Sequence, residues 1–459
     1  TGPYLYTNRC GKPVDELWTN LGPEVINISY TGSRSIIHRV IQIDFSSISA
    51  FLTGFSTYPQ PLRLRLRIFT IFFLYKQTHQ AVRKGELSTI MKLVFDKANL
   101  VKSVGIAMKA VSGKTTMPIL ECILIDASSN VIKFTSNDME LGIETIVTGM
   151  ILERGIVALD AKIFSEIVRK LPDNQVTIET DENLVTTITC EKAKFNIPGQ
   201  SGEDFSYLPI LETSDCVSIS QFTLKELIRQ TIFSIAANEN NKLMTGELFE
   251  IKDNTLRVVS LDGHRIAIRR IELKDSYPDR KVVVPGKTLN EISKILSGEM
   301  DDQIDIYFSE NHIMFKFDDT TVVSRLIDGE YFRIDQMLSS DYETKVTINK
   351  KEFLSCIDRA TLLVKEGDKK PIIIDIQDGA MELQINSAMG SMKEEIDINK
   401  EGKDIMIGFN PKFLIDALRV IDDEEISIYL VNPKAPCFIR NEEESYIYLI
   451  LPVNFNSVR

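Results

Sequence analysis

Met91-Lys92-Leu93-Val94-Phe95 runs into Lys97-Ala98-Asn99-Leu100-Val101-Lys102-Ser103-Val104, and the same succession returns twice further along the chain. Cys216-Val217-Ser218-Ile219 precedes residues 223–230, and Lys345-Val346-Thr347-Ile348 precedes residues 350–357. In each case alternating apolar residues give way to apolar residues three and four apart, the pattern of a short strand feeding an amphipathic helix. Halfway through each segment the pattern recurs, at 155–159 before 161–171, at 281–284 before 287–296, and at 404–409 before 411–421. Alternating stretches such as Gln175-Val176-Thr177-Ile178-Glu179-Thr180 and Gln303-Ile304-Asp305-Ile306-Tyr307-Phe308 follow the helices as further strands. The unit is therefore strand, helix, strands, written six times.

A spacing of roughly 125 residues is too long for solenoid repeats of about 20–50, so the repeats are whole domains, each internally doubled. Polar stretches near 213–215 and 339–341 separate them, which places the domains at 91–214, 215–340 and 341–459. Runs of antiparallel-type strands with two helices per domain predict an α+β fold class. Three domains also suit 459 residues, since a single core stops growing near 250–300.

Residues 1–90 read differently. They hold the only tryptophan, Trp18, and the run Leu62-Arg63-Leu64-Arg65-Leu66-Arg67, with neither helical period nor strand rhythm throughout. We expect an upstream extension that is not part of the folded domains, joined to a protein that naturally starts at Met91. The alternative reading is a basic amphipathic arm or targeting peptide. The longest apolar or aromatic runs fall far short of the roughly 20 residues of a membrane span. The six cysteines are far apart, which argues against zinc and disulfide frameworks and for a reducing, cytoplasmic setting.

The net charge of −12 hides an asymmetry. Ten of the basic and five of the acidic residues precede Met91, leaving 43 basic and 60 acidic residues in 91–459, a net of −17. Yet the six helical windows (97–110, 161–170, 223–235, 287–297, 350–362 and 411–420) carry 15 basic residues against six acidic ones. Basic helices on an acidic body suit a protein with one surface facing a polyanion, although solvated helix faces have the same composition.

Chemistry-bearing motifs are scarce. Ser112-Gly113-Lys114-Thr115 ends like a phosphate-binding loop, but its first glycine would fall at Met108 and a helix, not a strand, precedes it. Ser260, Asp262 and His264 lie close together without a glycine-flanked nucleophile elbow, so His264 reads as structural or binding. Carboxylates are scattered, and no metal site or cofactor is expected.

Six motifs, in order, now carry a resemblance. Met117-Pro118-Ile119-Leu120, Phe134-Thr135-Ser136-Asn137-Asp138-Met139-Glu140-Leu141, Gly202-Glu203-Asp204-Phe205-Ser206-Tyr207-Leu208-Pro209, Leu261-Asp262-Gly263-His264-Arg265-Ile266-Ala267, Val283-Val284-Pro285-Gly286-Lys287 and Gly408-Phe409-Asn410-Pro411 together resemble the bacterial DNA polymerase III beta subunit family, the sliding clamps. The resemblance spans 91–453. It implies the DNA-clamp fold and a head-to-tail homodimer of three-domain protomers, a ring whose helices line a hole for duplex DNA. It also implies a non-catalytic processivity factor that tethers the polymerase III alpha subunit, other polymerases and repair proteins through short peptides and is opened by an ATP-driven clamp loader. A clamp-like paralogue specialised for repair or antibiotic resistance and a metal-dependent nucleic-acid enzyme using Asp138 are the rival readings.

Site residues follow from the resemblance and the helical charges. The resemblance assigns DNA contact to Lys114, Asn238 and Lys242, while Lys102, Lys109, Lys162, Arg169, Lys225, Arg229, Lys287, Lys294, Lys350, Lys351 and Lys412 supply the basic helical surface. A groove for a peptide with a glutamine and apolar anchors would be formed by Met244, Gly263, His264, Arg265, Ile266, Leu449, Ile450, Leu451, Pro452 and Val453. The chain departs from the family at Leu243, at Leu261 where relatives often have threonine, and at Tyr331-Phe332-Arg333-Ile334 in place of a phenylalanine-proline-aspartate-tyrosine turn. Residues 455–459 also run past the usual end.

Overall fold

The structure, a computed structural model, describes residues 91–113, 115–211, 216–237, 241–365 and 370–455. The basic upstream stretch, Lys114 and Asn238 lie outside the described residues.

Among the described residues there are six α-helices: α1 (Lys97–Ala107), α2 (Ala161–Lys170), α3 (Gln221–Thr231), α4 (Gly286–Ser293), α5 (Lys350–Thr361) and α6 (Pro411–Val420). Each follows a strand, as the repeat predicts. Five begin the same way: the side chains of Asp96, Asp160, Ser220, Asn349 and Asn410 accept hydrogen bonds from the first free backbone amides of the helix. Before α4 the position is Pro285, which has no capping side chain. Three helices stop short of their expected windows. Residues 108–110 and 232–234 tighten into 3₁₀ turns, and α4 ends at Ser293 ahead of Gly298, whose φ of +81° needs a residue without Cβ.

The strands are antiparallel and alternate as expected: Gln175–Thr180 buries Val176, Ile178 and Thr180 and turns its other side chains outward. The three domains do not end where their sheets end. A 13-stranded sheet runs through the first two, because Thr320–Arg325 pairs with Leu141–Val147 in the register Val322 to Ile143. There the hydroxyls of Thr145 and Thr320 meet at 3.0 Å. A seven-stranded sheet joins the second and third domains through Arg265–Pro285, whose first residues pair with Tyr446–Ile450. A four-stranded sheet completes the third domain. The expected strand at 281–284 is the end of this 21-residue strand, which hairpins with Gly246–Leu261 through two register irregularities around Asp253.

Each domain has its own apolar core between helices and sheet, centred on Phe134 and Phe164, on Phe249 and Phe315, and on Phe353 and Leu418. A fourth cluster covers the other face of the seven-stranded sheet. There Leu248, Val259, Leu261, Ile266, Ile268, Ile447 and Leu449 are roofed by Tyr331 and Ile334 of the connector between the second and third domains.

Candidate nucleic-acid and peptide interfaces

The helices pack in pairs, α1 with α2, α3 with α4 and α5 with α6, and α3 also touches α6. The cations along them divide into two sets. Lys102, Lys162, Lys351 and Lys412 are exposed and have no side-chain partner among the described residues, as has Lys242 just beyond α3. Arg169 is exposed and donates only to the carbonyl of Ser165 in its own helix, at 3.3 Å. These six are available to an anion.

The other six cations of the expected basic surface are engaged in the protein itself. Arg229 bonds to Glu226, to the carbonyl of Val420 at 3.2 Å and to Asp422 at 2.8 Å, tying the second domain to the third. Lys287 pairs with Asp138 and Lys109 lies 3.9 Å from Glu291, both contacts between the first and second domains. Lys294 pairs with Glu291 at 2.7 Å, while Lys225 and Lys350 donate to the carbonyls of Leu296 and Ile421 at 3.2 and 2.6 Å. Charge counting does not separate these sets: Lys294 and Arg229 have acids three residues away, but the partners of Lys109, Lys225, Lys287 and Lys350, and Asp422 for Arg229, come from remote parts of the chain. Leu243 lies within the apolar cluster, where a Cβ on Gly329 would stand 3.3 Å from its methyl groups. Packing, not DNA contact, is its visible role.

The peptide-groove candidates meet at the junction of the second and third domains, where the pleat assigns them to two faces. Ile266 and Leu449 are cross-strand partners on the outer face, beside the half-buried Met244, Leu243 and Phe332. Leu451 remains 37% exposed at their edge, its amide donating to the carbonyl of His264 at 2.9 Å. Pro452 and Val453 continue the rim, with the amide of Val453 held by the carbonyl of Gly408. This is an apolar seat with backbone on one side, suited to apolar anchors.

Ile450 and Arg265 lie on the opposite face. Ile450 is buried in the core of the third domain, paired in register with Arg265. The Arg265 guanidinium, 7% exposed, bonds to Asp262 at 3.0 Å, to Asp416 of α6 at 2.7 Å and to the carbonyl of Phe233 at 2.6 Å. It also stacks over the rings of Phe233 and Phe413. Asp262 in turn accepts from the amides of His264 and Arg265, shaping a turn in which Gly263 takes φ +88°. His264 stacks on Phe413 with ring centres 6.0 Å apart. Arg265 thus holds the groove from behind rather than lining it, while the exposed His264 stands at its end. Ser260 is buried and donates to the carbonyl of Thr231, away from His264.

Sequence reasoning missed Phe233, Phe413 and Asp416, which complete this junction, and Glu247, which lies wholly buried next to the Met244 turn. Asp416 is 151 residues from Arg265, a separation at which no local pattern signals a contact. Glu247 breaks the apolar alternation of its strand, and that break is a readable signal. Tyr331 of the altered turn is buried, and its hydroxyl donates to the carbonyl of Val259 at 3.4 Å. Among the described residues no group of three or more His, Cys, Asp or Glu side chains is placed to hold a metal ion, and no helix is long and apolar enough to cross a membrane.

Comparison with known proteins agrees with this architecture. Family models described as the N-terminal, central and C-terminal domains of the DNA polymerase III beta subunit match residues 91–209, 218–332 and 335–454. The chain is 33% identical over 375 residues to the beta sliding clamps of Staphylococcus epidermidis and Staphylococcus aureus, covering 79% of this chain and 99% of each relative. A crystal structure from Eubacterium rectale, assigned provisionally as a DNA polymerase III beta subunit, is 72% identical with a TM-score of 0.78 and covers 80% of this chain and all of that one. The DNA polymerase sliding clamp of Bacillus subtilis is 35% identical with a TM-score of 0.77, over 80% of this chain and 99% of that one.

Proposed function

The chain belongs to the DNA polymerase III beta subunit family and is a sliding clamp of that type, and on that premise we propose that it acts as a ring-shaped, head-to-tail homodimer around duplex DNA. Two sheet edges support the ring. Ala193–Ser201 pairs with Val185–Cys190 through residues 193–198 and with Ile156–Asp160 through 199–201, so among the described residues the outer edge of 193–197 is open in the first domain. In the third domain Gly390–Asp397 pairs on one side alone among the described residues. The first edge offers Lys192, Lys194 and the 39% exposed Phe195; the second offers Glu395, Asp397 and the 55% exposed Met389, and beside it lies the turn after α5, where a Cβ on Gly390 would stand 3.8 Å from Leu363 and Leu362 is 74% exposed. Unpaired edges with opposite charge and apolar flanks suit strand-to-strand closure, which also removes an aggregation hazard.

The single observation that carries the DNA reading is the set of unpartnered cations on the helices of an otherwise acidic chain. Lys102, Lys162, Arg169, Lys242, Lys351 and Lys412 would meet phosphates without reading bases, and Lys114 and Asn238 are proposed beside them. Few and weak contacts permit sliding, since every neutralised phosphate adds to the grip. Retention then comes from topology. The protein itself performs no chemistry in this reading; a loader spends the ATP.

Partners would be tethered by short peptides seated on Met244, Ile266, Leu449, Leu451, Pro452 and Val453, with Gly263 and His264 at one end. We place this work in the cytoplasm, with the polymerase III alpha subunit, the loader, and other polymerases and repair proteins as partners. The domains are 91–214, 215–340 and 341–459, with 1–90 upstream of the clamp. The test is to load the full chain onto nicked circular duplex with a loader and ATP, cut the circle, and follow retention by gel filtration. Protein that leaves on linearisation is held topologically. Retention unchanged by cutting means a grip by contact and overturns the ring.

A further inference from the structure

Glu247 is an anomaly in a well-satisfied core. Its side chain is wholly buried, and among the described residues neither carboxyl oxygen has a partner within hydrogen-bonding geometry. The strand alternation sets it on the helix side of the sheet with Phe249. The one neighbour that favours the ionised form is the hydroxyl of Thr231, and it is already given to the carbonyl of Leu227 at 2.7 Å, while Ser260 gives its own to the carbonyl of Thr231. The hydroxyl of Ser234, also buried, has no partner among the described residues. No lysine, arginine or histidine among the described residues offsets the charge of Glu247, and the titratable side chain that feels it is the buried Tyr331. An ionised carboxylate cannot be kept in such a place without a large cost, so the group holds its proton. Burial pushes its pKa up to about 8.

Its position gives this consequence. Glu247 stands one residue beyond the 3₁₀ turn Lys242–Thr245, across Gly246, and that turn carries Met244 of the proposed groove. That turn is half-buried to exposed, whereas residues 246–249 are fully buried, so the turn is the nearest edge of the core. It is held by two backbone contacts: the amide of Ala236 donates to the carbonyl of Met244 at 2.8 Å, and the carbonyl of Thr245 sits against Gly286, where a Cβ would stand 2.8 Å from it. A carboxylate that must reach water would do so by displacing this turn.

We propose that Glu247 is a proton-operated latch beneath the peptide groove: protonated, it lets the Met244 turn close on the core, and ionised, it opens that turn and dismantles the groove. The inference rests on the groove reading above. Partner binding is then proton-linked in alkaline solution. A groove competent only in the protonated form loses about tenfold in affinity between pH 7 and pH 9, because the competent fraction falls by that factor.

The experiment compares the full chain with E247Q and E247M. Thermal melts from pH 6 to pH 9 report the ionisation without reference to any peptide, and a fluorescence titration reports the groove. The probe is an N-acetylated, fluorescein-labelled peptide with one glutamine and apolar anchors, free of groups that titrate between pH 7 and pH 9. The expected result is a melting temperature that falls more steeply with pH in the native protein than in both variants. Peptide affinity should drop about tenfold in the native protein and less than twofold in the variants. Parallel melting profiles overturn the latch, and so do distinct melts with identical affinity profiles. Absence of peptide binding at pH 7 in all three proteins refutes the groove itself, and the inference falls with it.

Discussion

At the scale of single residues the junction of the second and third domains depends on Arg265. Its guanidinium satisfies two carboxylates and a carbonyl while covered by two aromatic rings, so removing it strands Asp262 and Asp416 in a largely dry site. Arg265→Ala should destabilise the fold by about 3–5 kcal/mol, the usual cost of breaking a buried ion pair from one side, and a urea melt will read it. Met244→Lys should weaken peptide binding by tenfold or more in a fluorescence titration, with the oligomeric state unchanged. For Glu247 the sign is fixed by linkage. Its folded pKa of about 8 stands above its ordinary 4.5, so between those values the folded state holds a proton that the unfolded chain has released. Stability is therefore greatest on the acid side, falls by about 1.4 kcal/mol per pH unit as pH rises through that window, and levels off above it. Glu247→Met should abolish that slope.

At the scale of elements, the helices have two occupations that their sequences do not distinguish. Replacing the free cations Lys102, Lys162, Lys351 and Lys412 together by alanine should lower affinity for a short linear duplex and flatten its salt dependence, with the melting temperature nearly unchanged, since surface substitutions without partners cost about 0.5 kcal/mol or less each. Changing Arg229 and Lys287 should do the reverse, loosening the domain junctions they bridge to Asp422 and Asp138. Helix starts were readable because a capping residue is local: Asp96, Asp160, Asn349 and Asn410 stand directly before the helices they cap. The ends were less readable. The 3₁₀ turns at 108–110 and 232–234 keep the same residue spacing over a few positions, so periodicity extends through them.

At the scale of the whole molecule, the two long sheets cross the domain boundaries while the open edges remain at 193–197 and 390–397. Closure of a ring through those edges makes Leu362, exposed on the third domain, a sensitive position. Leu362→Asp should shift the protein towards monomer in analytical ultracentrifugation while leaving its melting behaviour close to native. A dimer of unchanged stability would place the interface elsewhere.

What the amino-acid sequence determined by itself was the sixfold strand-helix-strands pattern, its doubling within three domains, the α+β class, the basic bias of the helices and the family resemblance. All of these depend on residues a few positions apart or on the order of motifs, so they are present in the linear string. The tertiary structure decided what depends on pairing across the chain. Register between Arg265–Arg269 and Tyr446–Ile450 sends Ile266 and Leu449 to one face and Arg265 and Ile450 to the other, splitting a groove that looked continuous in sequence. Carboxylates and carbonyls brought in from remote segments took up Lys109, Lys225, Arg229, Lys287 and Lys350, which local sequence does not announce. Burial kept Glu247 from every cation among the described residues, a property set by packing around the side chain and not by its neighbours in the chain.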